Sequence, residues 1–146
     1  MTQDSLKKIP KTVLVGGCFD VLHPGHVIFL EKAKKAGDRL IVLLESDEKI
    51  KKIKGSSRPV HNQKERAIVL KALKFVDSVV MLPFIDKDED YDGIIKKIQP
   101  NIIAATKGAS DNYHKQRIAR LIGAKFKYVT KVIGNHSTSQ ILNSRG

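Results

Sequence analysis

His23 and His26 stand three residues apart in the run Gly16-Gly17-Cys18-Phe19-Asp20-Val21-Leu22-His23-Pro24-Gly25-His26, directly after the strand-like stretch Lys11-Thr12-Val13-Leu14-Val15. If a helix starts at Pro24, that spacing turns both imidazoles the same way. Proline suits a first helical position, where its missing N–H costs nothing. The helix start leaves backbone amides unpaired, and together with the helix dipole they favour an anion. Glycines at 16, 17 and 25 let a bulky ligand approach the main chain. The chemistry these residue types suit is the handling of phosphate. A zinc half-site has the same histidine spacing, but Cys18 is the only cysteine and a structural zinc takes four ligands. The imidazoles could also simply satisfy hydrogen bonds at a helix start, and spacing alone leaves that reading open.

The elements that must position these residues alternate along the chain. Strand candidates fall at 13–15, 39–45, 76–82, 102–105 and 126–130. Helical patterns fall at 27–36 (closed by Gly37), 47–53, a segment capped by Asn62 with Glu65 three residues on, 93–98, 111–123 and 139–143. The acidic stretch 84–92 reads as a loop. Such alternation predicts an α/β fold, a Rossmann-like doubly wound five-stranded parallel sheet with helices on both faces. In that architecture ligands sit at the carboxyl ends of the strands, where the histidine motif lies.

Composition narrows the class. With 146 residues the chain reads as a single domain, 1–146, with a core of about 12–142. Its start lacks the apolar stretch of a secretory signal, and its apolar runs are too short to cross a bilayer. A single cysteine gives no internal disulfide framework and fits a reducing compartment, so a soluble cytoplasmic protein is expected. The balance of 27 basic against 15 acidic residues, a net +12, suits nucleic acid, a membrane surface or small anionic substrates. Lys49, Lys51, Lys52 and Lys54 form the densest basic run, but aromatics are not interleaved with them, which argues against stacking-type nucleic-acid binding.

The string G-G-C-F-D-V-L-H-P-G-H resembles the HxGH motif of the nucleotidylyltransferase superfamily, which includes cytidylyltransferases and small adenylyltransferases. In that family the two histidines bind the phosphates of a nucleoside triphosphate and stabilise charge as the α-phosphorus is attacked. Further segments match. Lys51 or Lys54 corresponds to a lysine that reaches phosphate from a mobile segment. Ser57-Arg58-Pro59-Val60, Arg66 and Val76-Asp77 resemble a stretch of sugar-phosphate adenylyltransferases, which assigns Arg66 to a phosphate and Arg58 to the substrate. Lys107 and Gly108 fit the family's nucleotide-contacting loop, but the second glycine is missing and the spacing to Asp111 is altered. Gly134 to Ile141 resembles the family's "ISTT" motif and places Thr138 and Ser139 on the leaving phosphates, although hydroxyls at a helix start also serve simply as caps. His61 and His114 have no motif support.

The resemblance spans nearly the whole chain and is strongest to the nucleotidylyltransferase domain of ADP-heptose synthases. Glycerol-phosphate cytidylyltransferases and archaeal-type FAD synthetases are also similar. It implies attack by a phosphate-monoester acceptor, such as a sugar 1-phosphate, on the α-phosphorus of ATP or CTP. His23, His26, Lys51, Lys54 and Arg66 would be the catalytic group. Gly16, Gly17, Cys18, Phe19, Asp20, Gly25, Lys107, Gly108, Thr138 and Ser139 would contact nucleotide; Arg58 and Asp111 would contact the acceptor. Mg²⁺ would ride on the triphosphate rather than on protein ligands, and a homodimer is implied. A CTP-dependent polyol-phosphate enzyme and an FMN adenylyltransferase are the alternatives within the class. A non-catalytic nucleic-acid- or nucleotide-binding module is the alternative outside it.

Overall fold

The computed structural model describes residues 9–132. Ten elements follow one another: β1 (Thr12–Gly17), α1 (Pro24–Lys35), β2 (Arg39–Leu44), α2 (Asp47–Lys54), α3 (Gln63–Lys71), β3 (Ser78–Met81), α4 (Asp88–Ile98), β4 (Ile102–Lys107), α5 (Asn112–Ile122) and β5 (Lys125–Lys131). The strands form one parallel sheet in the order β3-β2-β1-β4-β5. The expected doubly wound α/β architecture is therefore present. The chain winds outward from β1 in one direction and resumes at β4 in the other, so a crevice opens where β1 and β4 part.

Strand alternation sorts the core into two layers. Val13 and Val15 of β1 pack with Leu30 and Ala33 of α1 and with Ala67 and Leu70 of α3. Leu14 faces the opposite side, with Ile95 of α4 and Ile118 and Ala119 of α5. β1 is thus buried on both faces, which is why it reads as an unbroken apolar run.

The main departure from expectation is α4, which begins at Asp88 rather than near Gly93. Asp88, Glu89 and Asp90 occupy its first turn, where carboxylates complement the positive end of the helix dipole. Gly93 lies inside this helix with open space around it. β3 is shorter than the expected 76–82: the Val76 amide is drawn back to the Leu73 carbonyl, closing the turn before the strand, and the Asp77 amide meets the Leu40 carbonyl at the strand's start. The expected helix at 139–143 lies outside the described residues.

Candidate active site

Beyond β1 the chain turns through Phe19 and Val21, both in the left-handed region with φ of 47° and 55°. A side chain makes such values costly, a β-branched one most of all, so the surroundings must hold the loop. The holding point is Asp20, only 1% exposed. Its Oδ2 accepts from Arg58 Nε at 2.8 Å and from the Val60 amide at 2.7 Å, and its Oδ1 accepts from the His61 amide at 3.0 Å. Burial alone would push this carboxyl up. The two amides and the guanidinium outweigh burial and hold it below the usual carboxylate range.

Arg66 ties the same region to α2. Its Nη1 donates to the Cys18 carbonyl at 2.7 Å, its Nε to the His61 carbonyl at 3.0 Å, and its Nη2 to Asp47 at 2.7 Å. The side chain is 2% exposed. Arg66 was expected on a phosphate and Arg58 on the substrate. The structure assigns both a different task, because each is buried and directs its guanidinium at protein oxygens.

The histidines cap α1 reciprocally. The Gly25 amide donates to His23 Nδ1 at 3.1 Å, and the His23 amide donates to His26 Nδ1 at 3.2 Å. This is a capping box built from imidazoles, with ring centroids 3.8 Å apart. Each Nδ1 is an acceptor, so each neutral ring carries its proton on Nε2. Burial first, then the repulsion that protonation would set up with His23 and with Lys54, push His26 down to about 3, although Asp20 opposes them. At neutral pH His26 is therefore an uncharged Nε2–H donor rather than an acid or a base. The Gly25 amide donates to His23, while Gly25, expected to contact nucleotide, lies at the cavity described below.

Two cavities flank the end of β1. One, of about 550 Å³, is lined by Phe19, His23, His26 and Lys54, and on its far wall by Thr106 and Thr130. Those two threonine hydroxyls are 2.9 Å apart, beside a register shift between β4 and β5. The other, of about 390 Å³, lies on the opposite face of β1 over Leu14, Leu82 and Ile103. Its polar rim includes Glu45, Lys49 and Tyr91. Gly16, Gly17, Cys18, Asp111 and Lys115 line both, so the two spaces meet over the glycine pair. A β-carbon at Gly17 would lie 2.9 Å from the Phe19 ring, whereas one at Gly16 would meet only Leu43, at an ordinary 3.8 Å.

Of the expected residues, His23, His26, Gly16, Gly17, Cys18, Phe19, Asp20, Gly25, Lys54 and Asp111 come together around the first cavity. Lys51, Lys107 and Gly108 line neither space. Lys51 is exposed on α2, and Gly108 instead makes a turn at φ 92° after β4. Thr138 and Ser139 lie outside the described residues. Glu45, Tyr91, Lys115 and the Thr106–Thr130 pair were not anticipated. Only Glu45 carried a signal, as a charged residue closing the apolar run of β2 at the sheet's carboxyl edge.

A parallel sheet with a histidine-capped cavity at its switch point defines an α/β domain built to hold a phosphate-bearing ligand. Residues 14–141 match the model of the cytidylyltransferase-like family, and the chain belongs to that family of nucleotidylyltransferases. The bifunctional protein HldE of Campylobacter fetus is 42% identical over 135 residues, covering 90% of this chain and 27% of that protein. HldE of Haemophilus influenzae is 45% identical over 93 residues, covering 64% and 19%. The chain thus spans about a quarter of the length of relatives such as the Campylobacter protein. Among solved structures, the lipopolysaccharide core biosynthesis protein from Thermoplasma volcanium superposes with a TM-score of 0.67 at 24% identity, over 85% of this chain and 99% of that one. Pantoate-beta-alanine ligase from Francisella tularensis superposes with 0.61 at 16% identity, over 90% and 62%. Both share the fold.

Proposed function

We propose that the protein transfers AMP from ATP to the phosphate of a sugar 1-phosphate and releases pyrophosphate. The observation that carries this reading is the imidazole capping box, which fixes both rings as Nε2–H donors on a cavity at the switch point. An oxygen of the acceptor phosphate attacks the α-phosphorus and forms the new P–O bond. The bond from the α-phosphorus to the oxygen bridging to the β-phosphate breaks, and its electron pair leaves with pyrophosphate. The acceptor oxygen is already anionic, so no proton has to be removed and no protein nucleophile is needed. The Cys18 thiol, pushed up by burial, stays protonated and fits no nucleophilic role.

Catalysis is then positioning and charge stabilisation. His26 and His23 donate to the α-phosphoryl oxygens, and Lys54 neutralises the triphosphate from the end of α2. Thr138 and Ser139 hold the departing pyrophosphate, as the family resemblance implies. Asp20 holds the loop that carries the histidines. Among the described residues no three His, Cys, Asp or Glu side chains converge, and Asp20 has both oxygens engaged. The family resemblance implies Mg²⁺ carried by the triphosphate, where it would neutralise phosphate charge. A homodimer belongs to the same reading. Among the described residues no helix is long and apolar enough to cross a membrane.

Pyrophosphate release tests the proposal, with ATP or CTP crossed against a heptose 1-phosphate, sn-glycerol 3-phosphate and FMN. ATP with the sugar phosphate should turn over fastest, and His26→Ala should lose about 10²–10³-fold with an unchanged circular dichroism spectrum. A preference for CTP overturns the adenylyl assignment. Undiminished turnover by His26→Ala overturns the mechanism.

A further inference from the structure

We infer that the smaller cavity, across β1 from the histidines, holds the polyhydroxylated body of the acceptor, with Glu45 as the group that accepts from its hydroxyls. This role rests on the transferase reading above and gives the acceptor's chemistry. Glu45 closes β2, its backbone amide bonded to the Gly17 carbonyl at 3.1 Å. Tyr91 reaches across from α4, and its hydroxyl lies 2.8 Å and 3.0 Å from the two carboxylate oxygens. One hydroxyl delivers one proton, whereas an ionised carboxylate offers about four acceptor positions. Lys49, the nearest cation on α2, lies 5.5 Å from the centre of the Tyr91 ring and donates to the Ile85 carbonyl at 2.9 Å. Its ammonium is thereby directed at a main-chain oxygen while its charge still acts on Glu45.

Glu45 is half-buried and lines the cavity, so the acceptor positions that Tyr91 leaves are within reach of a ligand there. Burial pushes Glu45 up, with Tyr91 and Lys49 opposing, as expected for an under-solvated acid. The groups that suit it are neutral donors in pairs, which is what adjacent sugar hydroxyls present. A second phosphate does not suit it, because like charges would meet at the carboxylate. An apolar floor of Leu14, Leu82 and Ile103 accommodates the C–H face of a sugar. The volume, about 390 Å³, is of small-ligand size.

Gly16 ties this cavity to the chemistry. It lines both spaces, and its missing side chain would stand on the Leu43 side of β1, where packing leaves room for it. The fold does not need a glycine there; a sugar whose phosphate crosses toward His26 does.

The test is calorimetric titration of the intact protein, preloaded with a non-hydrolysable ATP analogue and Mg²⁺. The probes are a heptose 1-phosphate, mannose 1-phosphate, sn-glycerol 3-phosphate and FMN. The sugar phosphates should bind best. Glu45→Gln and Tyr91→Phe should each weaken them at least about tenfold, while the affinity for the ATP analogue stays within about twofold. Gly16→Ala should weaken sugar binding and unfold close to the wild-type temperature. A sugar-phosphate affinity indifferent to Glu45, a preference for FMN, or no probe whose binding depends on Glu45 overturns the inference. A preference for FMN would overturn the sugar acceptor of the transferase reading as well, whereas indifference to Glu45 overturns this inference alone and leaves the His26→Ala test standing.

Discussion

Asp20→Asn is the sharpest probe of how the histidine loop is held. The substitution keeps shape and removes charge. Asn offers one carbonyl where three donors converge, and its amide turns N–H toward N–H. Arg58, 5% exposed, loses its carboxylate. Breaking a buried pair from one side costs about 3–5 kcal/mol. Against a domain stability of about 5–15 kcal/mol, that is a large share. At about 2–4 °C per kcal/mol the melting temperature should fall on the order of 10 °C. Thermal and urea unfolding followed by circular dichroism measure it. The double variant Asp20→Asn/Arg58→Met should recover much of the loss, because it no longer buries a cation without its acid. The Asp20 carboxyl is held below its ordinary value, so its contribution is present above about pH 4 and is lost as pH falls through the folded value. The wild-type and Asp20→Asn curves should therefore converge in acid. A single variant within about 1 kcal/mol of wild type, or a double variant no more stable than the single, would refute the reasoning.

Other outcomes follow from the same geometry. The unfolded chain protonates His26 below about pH 6.5, the folded chain only near 3. The unfolded state therefore binds more protons across that window, and stability should fall as pH drops from about 6.5; His26→Gln should flatten that slope in urea titrations. Lys54→Ala should weaken ATP binding about tenfold and Lys51→Ala by no more than about twofold, read by calorimetry. Gly17→Ala drives a β-carbon into the Phe19 ring and should cost about 1–3 kcal/mol. Gly16→Ala should cost under about 1 kcal/mol in the same unfolding assay.

The sheet was legible because β1, β2 and β4 are short apolar runs at the spacing a doubly wound fold requires. The start of α4 was not, since Asp88, Glu89 and Asp90 look like solvated loop until the helix dipole is considered. Within the site, His23 and His26 were legible because a local motif carries their geometry. Arg58 and Arg66 make contacts with protein oxygens that the sequence did not show, for a physical reason. A guanidinium suited to a phosphate is equally suited to a carbonyl or carboxylate, and only the packed fold decides which it meets. Glu45 and Tyr91 escaped because their contact joins residues 46 apart in sequence.

The short helix α2 carries Lys49 at one cavity and Lys54 at the other, with Asp47 pinned by Arg66 at its start. With the triphosphate in the larger cavity and the acceptor in the smaller, as proposed above, both substrates would bear on one rod of eight residues. A first ligand that orders that rod would tighten the second. The linkage must also be reciprocal: the factor by which ATP tightens the sugar phosphate is the factor by which the sugar phosphate tightens ATP. A helix that looks like a surface ornament would thus couple the two sites, whichever fills first.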